Sequence, residues 1–246
     1  MADKTPPPAK RSFQEELLTR IKEVVDREIS YPILNSISFD QIASLMYSFS
    51  FVAMRISEET IIAHDKDHNL HGNEIEHKQL KSLFLGYLNK MMQSALFISG
   101  ATDYLGAMVI LRCIFEQIIS INTEATGGMS RRIDTITYLS PQERKTIKEL
   151  WNDLSAWSHP FGKWKKNVCP KQYGAGRIHN PNLFNKLLSH ANAILDFIIT
   201  TTIEKFNISS ANYYDLLTKE LGAAHTQFLK YYPMFLARTA KNEDES

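Results

Sequence analysis

Apolar side chains recur along this chain at intervals of three and four, the period of one helical face, and nowhere in the sustained alternation of a strand. The first such run, "SFQEELLTRIKEVVDREI", opens with Ser12 and Glu15 in capping-box spacing. Leu17, Leu18, Ile21, Val24, Val25 and Ile29 form its stripe, and Tyr31-Pro32 ends it. Ser38 and Gln41 repeat the start signal before a stripe of Ile42, Leu45, Met46, Phe49, Val52, Ala53 and Ile56. After "DHNLHGN" a third helix is predicted over roughly 74–98, with Leu80, Leu83, Phe84, Tyr87, Leu88 and Met91 inward.

The segment over roughly 103–122 is apolar nearly all round, which predicts the central helix of a bundle. A short helical piece is expected over 130–138. "SPQERKTIKELWNDLSAW" then carries the cleanest start signal, with Ser140 as N-cap, Pro141 as N1 and Glu143 as N3. Ile147, Leu150, Trp151, Leu154 and Trp157 are its buried stripe, and Pro160 should stop the helix about His159. Residues 161–181 read as a loop. Asn180-Pro181 restarts a helix over about 182–206, with Phe184, Leu187, Leu188, Ala191, Leu195 and Ile198 inward. Ser210 begins a last helical region that weakens near Pro233. The expectation is one all-α bundle over 12–238, between a disordered tail at 1–11 and a disordered acidic tail at 239–246.

A net charge of +1 supplies no overall field toward nucleic acid or membrane, so any such binding needs a local patch. Two cysteines, Cys113 and Cys169, show no metal-ligand spacing and fit a reducing compartment. Cys113 is expected to be buried beside Arg112. "MADKTPPPAKRSF" has no apolar core and reads as no signal peptide. Arg112 and Glu116 interrupt the most apolar window, which argues against a membrane span. The expectation is a cytoplasmic protein without membrane contact.

Arg112 and Glu116 are also the first candidates for chemistry. Four residues apart, they share a helical face and can pair in the centre of the bundle. A third polar group from another element would turn the pair into a site. That group is His159 in "WNDLSAWSHPFGKW", which follows Ser155 and Ser158 and has Trp151, Trp157 and Trp164 around it. An imidazole titrates near neutrality and serves as general acid or base. Directly after it, Lys163, Lys165, Lys166, Lys171 and Arg177 alternate with Trp164 and Tyr173. Cations neutralise phosphates and aromatic rings stack on unpaired bases, so this stretch is a candidate RNA-binding segment. "AHDKDHNLHGNEIEH" gathers His64, His68, His71 and His77 among carboxylates, but completes no known metal motif. It reads as a solvated loop or a polar surface used by a partner; His64 and His68, four apart, leave a metal-binding enzyme as an alternative, though no metal or cofactor is expected.

"MMQSALFISGATDYLGAMVILRCIFEQIISI", followed by "YLSPQERKTIKELWNDLSAWSHP", resembles the HEPN-like all-α proteins of bacteria. Arg112, Glu116, Ser155, His159 and Pro160 match their Arg-x-x-x-Glu and Ser…His-Pro elements. The resemblance covers roughly residues 80–162. It implies a four- or five-helix core, here about 74–206, that commonly forms a homodimer. It also implies an RNA-directed protein, in some members a metal-independent ribonuclease of a defence or toxin–antitoxin system. Other members only bind nucleotides, RNA or proteins. The Arg and His of the usual nuclease motif have four to six residues between them, and no such pair occurs here. Arg55 precedes His64 by nine positions and Arg177 precedes His179 by two.

Two readings therefore stand ahead of the metal-binding one. In the first, His159 is the acid or base, Arg112 stabilises charge on phosphorus, Glu116 orients Arg112, and residues 163–177 hold RNA. In the second, the chain is a non-catalytic interaction or sensor module with a protein partner or antitoxin, a nucleotide or a nucleic acid, and the polar trio locks the bundle.

Overall fold

The computed structural model describes residues 46, 49, 50, 52–54, 57, 73–100, 103–158, 180–206, 218 and 222–243. The expected helix over 12–29, both terminal tails before residue 12 and after 243, and the His64–His71 stretch lie outside them, as do residues 159–179. The described elements are α1 (Asn73–Gly100), α2 (Tyr104–Asn122), α3 (Met129–Asp134), α4 (Pro141–Ser158) and α5 (Pro181–Phe206). A 3-10 turn (Gly222–Ala224) leads into α6 (His225–Tyr231) and α7 (Pro233–Glu243). No strand occurs among the described residues, and the architecture is a helical bundle.

The starts of these helices follow from local chemistry. Asp103 caps α2 by accepting from the Gly106 N–H at 3.0 Å. Ser140 and Glu143 form the expected reciprocal box at α4, with Ser140 N–H donating to Glu143 Oε2 at 2.7 Å. The Glu143 N–H donates back to Ser140 Oγ at 3.3 Å. Asn180 caps α5 through Leu183 N–H at 3.2 Å, with Pro181 at the first helical position.

Helix α2 packs against α1, α4 and α5, and α7 closes over α5. Helix α2, apolar nearly all round in its sequence, is not buried all round. Leu111, Ile114, Phe115, Ile118 and Ile119 are fully enclosed, but Val109, Cys113, Gln117 and Ser120 form an exposed stripe. Cys113 is thus exposed rather than buried. Tyr87 of α1, expected inward, is 56% exposed. Helix α2 is long and apolar enough to cross a membrane, and 44% of its most apolar window is buried within the bundle. A core helix satisfies the same length and composition.

The most deeply enclosed helix is α5. Ile194, Leu195, Phe197, Ile198 and Ile199 are buried together with Asn192, Asp196, Thr200, Thr201 and Thr202. Those polar groups conceal the helix's depth in the sequence. Each of two finds partners that are close only after folding. Asn192 Nδ2 donates to the Met46 carbonyl at 3.2 Å and to Ser50 Oγ at 3.1 Å, and its Oδ1 accepts from the Tyr232 hydroxyl. Asp196 accepts from the Met234 N–H at 2.9 Å and the Phe235 N–H at 2.8 Å.

That second contact explains why α7 exists. Pro233 brings no N–H, and the next two donors would be orphans at a helix start. The Asp196 carboxylate satisfies both from a neighbouring helix. Helicity thus resumes at Pro233 instead of weakening there, and continues through residues 239–243 that were expected to be tail.

Candidate functional site

Arg112 and Glu116 do pair: Arg112 Nε donates to Glu116 Oε1 at 3.0 Å. The pair lies at the rim of the bundle instead of its centre, with side-chain exposures of 25% and 38%. Across the α2–α4 interface the Arg112 guanidinium sits over the Trp151 ring, 4.9 Å from its centroid. Phe115, one position from the exposed stripe, stacks on the same tryptophan at 5.9 Å. Trp151 is therefore a half-buried platform that holds Phe115 in the core and a cation at the surface. Glu116 fixes the plane of the guanidinium through Nε. The arrangement presents an oriented, solvent-reachable cation, suited to a phosphate or carboxylate.

His159, Lys163, Trp164, Lys165, Lys166, Lys171, Tyr173 and Arg177 lie outside the described residues. Helix α4 is described to Ser158, to which His159 is bonded. Ser158 is seven residues beyond Trp151, about 10 Å of helical rise.

A second polar cluster, unmarked in the sequence by any motif, joins α4 to α5. Asp153 Oδ2 accepts from Lys186 Nζ at 2.6 Å and meets His190 Nε2 at 2.8 Å. Burial opposes the charge on Asp153, but the hydrogen bond and charge of Lys186, with His190 behind it, hold this carboxyl below its ordinary range. Burial pushes His190 below the ordinary imidazole value, against the pull of Asp153. In its neutral form the ring donates from Nε2 to the carboxylate, since a carboxylate oxygen only accepts. Lys186 also lies 5.2 Å over Trp157. The signal available in the sequence was only the alignment of Asp153 and Trp157, four apart on one face of α4.

The third feature is a cavity of about 440 Å³ between α4, α5 and the α6–α7 corner. Ile147, Leu150 and Met234 supply apolar wall, and Glu143 and Asp196 supply its acidic end. Glu143 is doubly engaged: besides capping α4 it accepts from Arg238 of α7. Arg238 further donates from Nε to Glu204 Oε1 at 3.1 Å and from Nη2 to the Tyr138 carbonyl at 3.1 Å. Burial, set against two backbone N–H bonds and the charge of Arg238, raises Asp196 to about 7. Among the described residues no group of three or more His, Cys, Asp or Glu side chains is placed to hold a metal ion.

No family model matches the chain, and neither a curated protein nor a solved structure matches it. What stands is an all-α helical bundle, known by its own geometry.

Proposed function

We propose that this chain is an RNA-directed protein of the HEPN-like kind, in which Arg112 holds a backbone phosphate and His159 is the acid–base group. The observation that carries the reading is the Arg112 guanidinium, open to solvent and oriented by Glu116 on the Trp151 platform. The platform belongs to the helix that leads into His159 and the basic, aromatic segment 163–177. In this reading Arg112 anchors the RNA by its phosphate and stabilises the charge that develops on phosphorus, with Glu116 orienting it.

In the catalytic form of this reading the protein is a metal-independent endoribonuclease. A ribose 2′-oxygen bonds to the adjacent phosphorus and gives its proton to His159. The 5′-oxygen leaves and takes a proton from water or from the imidazole of a second copy, leaving a 2′,3′-cyclic phosphate. Protein partners such as an antitoxin would act by covering this face.

The second reading, a non-catalytic interaction module, draws support from the same pair. Arg112 is already neutralised by Glu116 at 3.0 Å and packed on Trp151, a contact that ties α2 to α4 with no ligand.

Cleavage of single-stranded RNA in EDTA, by wild type and His159→Ala at matched folding and purity, separates the two. The catalytic form predicts cyclic-phosphate ends and a loss of at least about 100-fold in the variant, the usual contribution of a positioned acid or base. Equal cleavage by both proteins contradicts His159 as the acid–base group. RNA binding without cleavage by either selects the second reading.

A further inference from the structure

The cavity between α4, α5 and the α6–α7 corner belongs to neither reading of the RNA surface. Its volume of about 440 Å³ falls within the range of small-molecule sites. Its floor is buried: Ile147 and Met234 are apolar, and Asn192 and Asp196 are polar. Its rim is exposed at Thr146, Ser189 and Lys230, so a ligand can enter without unfolding a helix.

Charge at the inner end is unbalanced. One guanidinium, Arg238, serves two carboxylates, Glu143 and Glu204. Asp196 adds a third acid that, among the described residues, has no cation in hydrogen-bond contact. Each of its oxygens receives one backbone N–H, and a carboxylate oxygen carries two lone pairs. Asn192, by contrast, has its Nδ2 hydrogens taken up by Met46, Ser50 and Leu188, and its Oδ1 already accepts from Tyr232. The charged and titratable groups around Asp196 are Glu143 of α4, Arg238 of α7 and Tyr232 at the α6–α7 corner, with Lys230 of α6 exposed at the rim. A positive head with an apolar body complements this end, whereas an anion would face three acids served by one guanidinium.

We propose that the cavity is a binding site for a small molecule carrying a protonated amine on an apolar body, the amine received between Glu143 and Asp196. Ile147, Leu150 and Met234 enclose the body. The site is independent of Arg112, so its test does not depend on RNA. Since Asp196 titrates near neutrality, the amine binds more tightly as pH rises through 7.

The test is calorimetric titration of the full chain, at about pH 8, with 2-phenylethylamine and the shape-matched 2-phenylethanol and 3-phenylpropionate. The amine is expected to bind at least about tenfold more tightly than the alcohol, and the acid not at all. Ala193→Leu, which adds bulk to a half-buried wall position away from both carboxylates, should weaken the amine at least about tenfold with its circular dichroism unchanged. Equal affinity of amine and alcohol overturns the proposal. So does undiminished amine binding by a folded Ala193→Leu protein, or no amine binding at millimolar concentration.

Discussion

Arg112 lies over the face of Trp151, 4.9 Å from guanidinium carbon to ring centroid, so a helix-surface cation is held by an aromatic from a second helix. Its partner Glu116 comes from its own helix. The two contacts are separable. A double-mutant cycle of Arg112→Met and Trp151→Leu should give a coupling of about 1 kcal/mol, the order of a partly exposed cation–π contact. Denaturant unfolding of the four proteins measures it. Strict additivity would mean that Trp151 positions nothing.

Arg238 binds α7 to α4, α5 and the Tyr138 carbonyl at only 10% side-chain exposure. Arg238→Met should cost roughly 3–5 kcal/mol, since the half-buried Glu143 loses its cation. Double substitution with Glu143→Gln should recover part of that loss. Thermal unfolding of single and double variants checks both.

Asp196 gives a pH dependence of definite sign. In the folded state it keeps its proton to about 7, whereas the unfolded chain releases it at its ordinary 3.8. Between those values the unfolded state binds fewer protons, so this group's contribution to stability falls as pH rises. The full span is worth roughly 4 kcal/mol. His190 acts oppositely: its lowered value means that stability is lost as pH falls below the ordinary 6.5. Unfolding free energies of wild type and Asp196→Asn across this range should differ in slope, the variant losing the downward trend. Parallel curves would contradict the burial argument.

Gly106 stands at the third position of α2, where a Cβ would meet Asp103 Oδ2 at 2.7 Å. Gly106→Ala should therefore displace the cap and cost about 1 kcal/mol despite alanine's better helix propensity. Chemical denaturation gives the value. A gain in stability would show that the cap can move aside freely.

Much of this architecture was legible locally. Ser140, Pro141 and Glu143 announce α4 because a capping box is made by residues three apart, and Asn180-Pro181 announces α5 as an N-cap side chain followed by proline at the first helical position. The stripe Phe184, Leu187, Leu188, Ala191, Leu195 and Ile198 is buried as its spacing predicts. What could not be read depends on partners distant in sequence. Asn192 and Asp196 look like breaks in an apolar face until Tyr232, Met234 and Phe235 arrive to satisfy them. Pro233 looks like a terminator until Asp196 caps the helix it starts.

At the candidate site the same division holds. The Arg112–Glu116 bond follows from spacing alone, because residues four apart share a face. Its place at the rim does not, since periodicity ranks apolar positions and Cys113 and Val109 are apolar yet exposed. The Asp153–Lys186–His190 cluster was invisible because its members sit on two helices and match no spacing rule.

The central claim, that Arg112 anchors an RNA phosphate, is tested most directly by binding of a fluorescently labelled single-stranded RNA across a range of salt. Wild type should bind with an affinity that falls as salt rises. Arg112→Gln should bind more weakly and with a log–log salt slope smaller by about 0.7, the loss of one phosphate contact to a single strand. An unchanged slope in a folded Arg112→Gln protein, or no binding of RNA by wild type at low salt, would contradict the account.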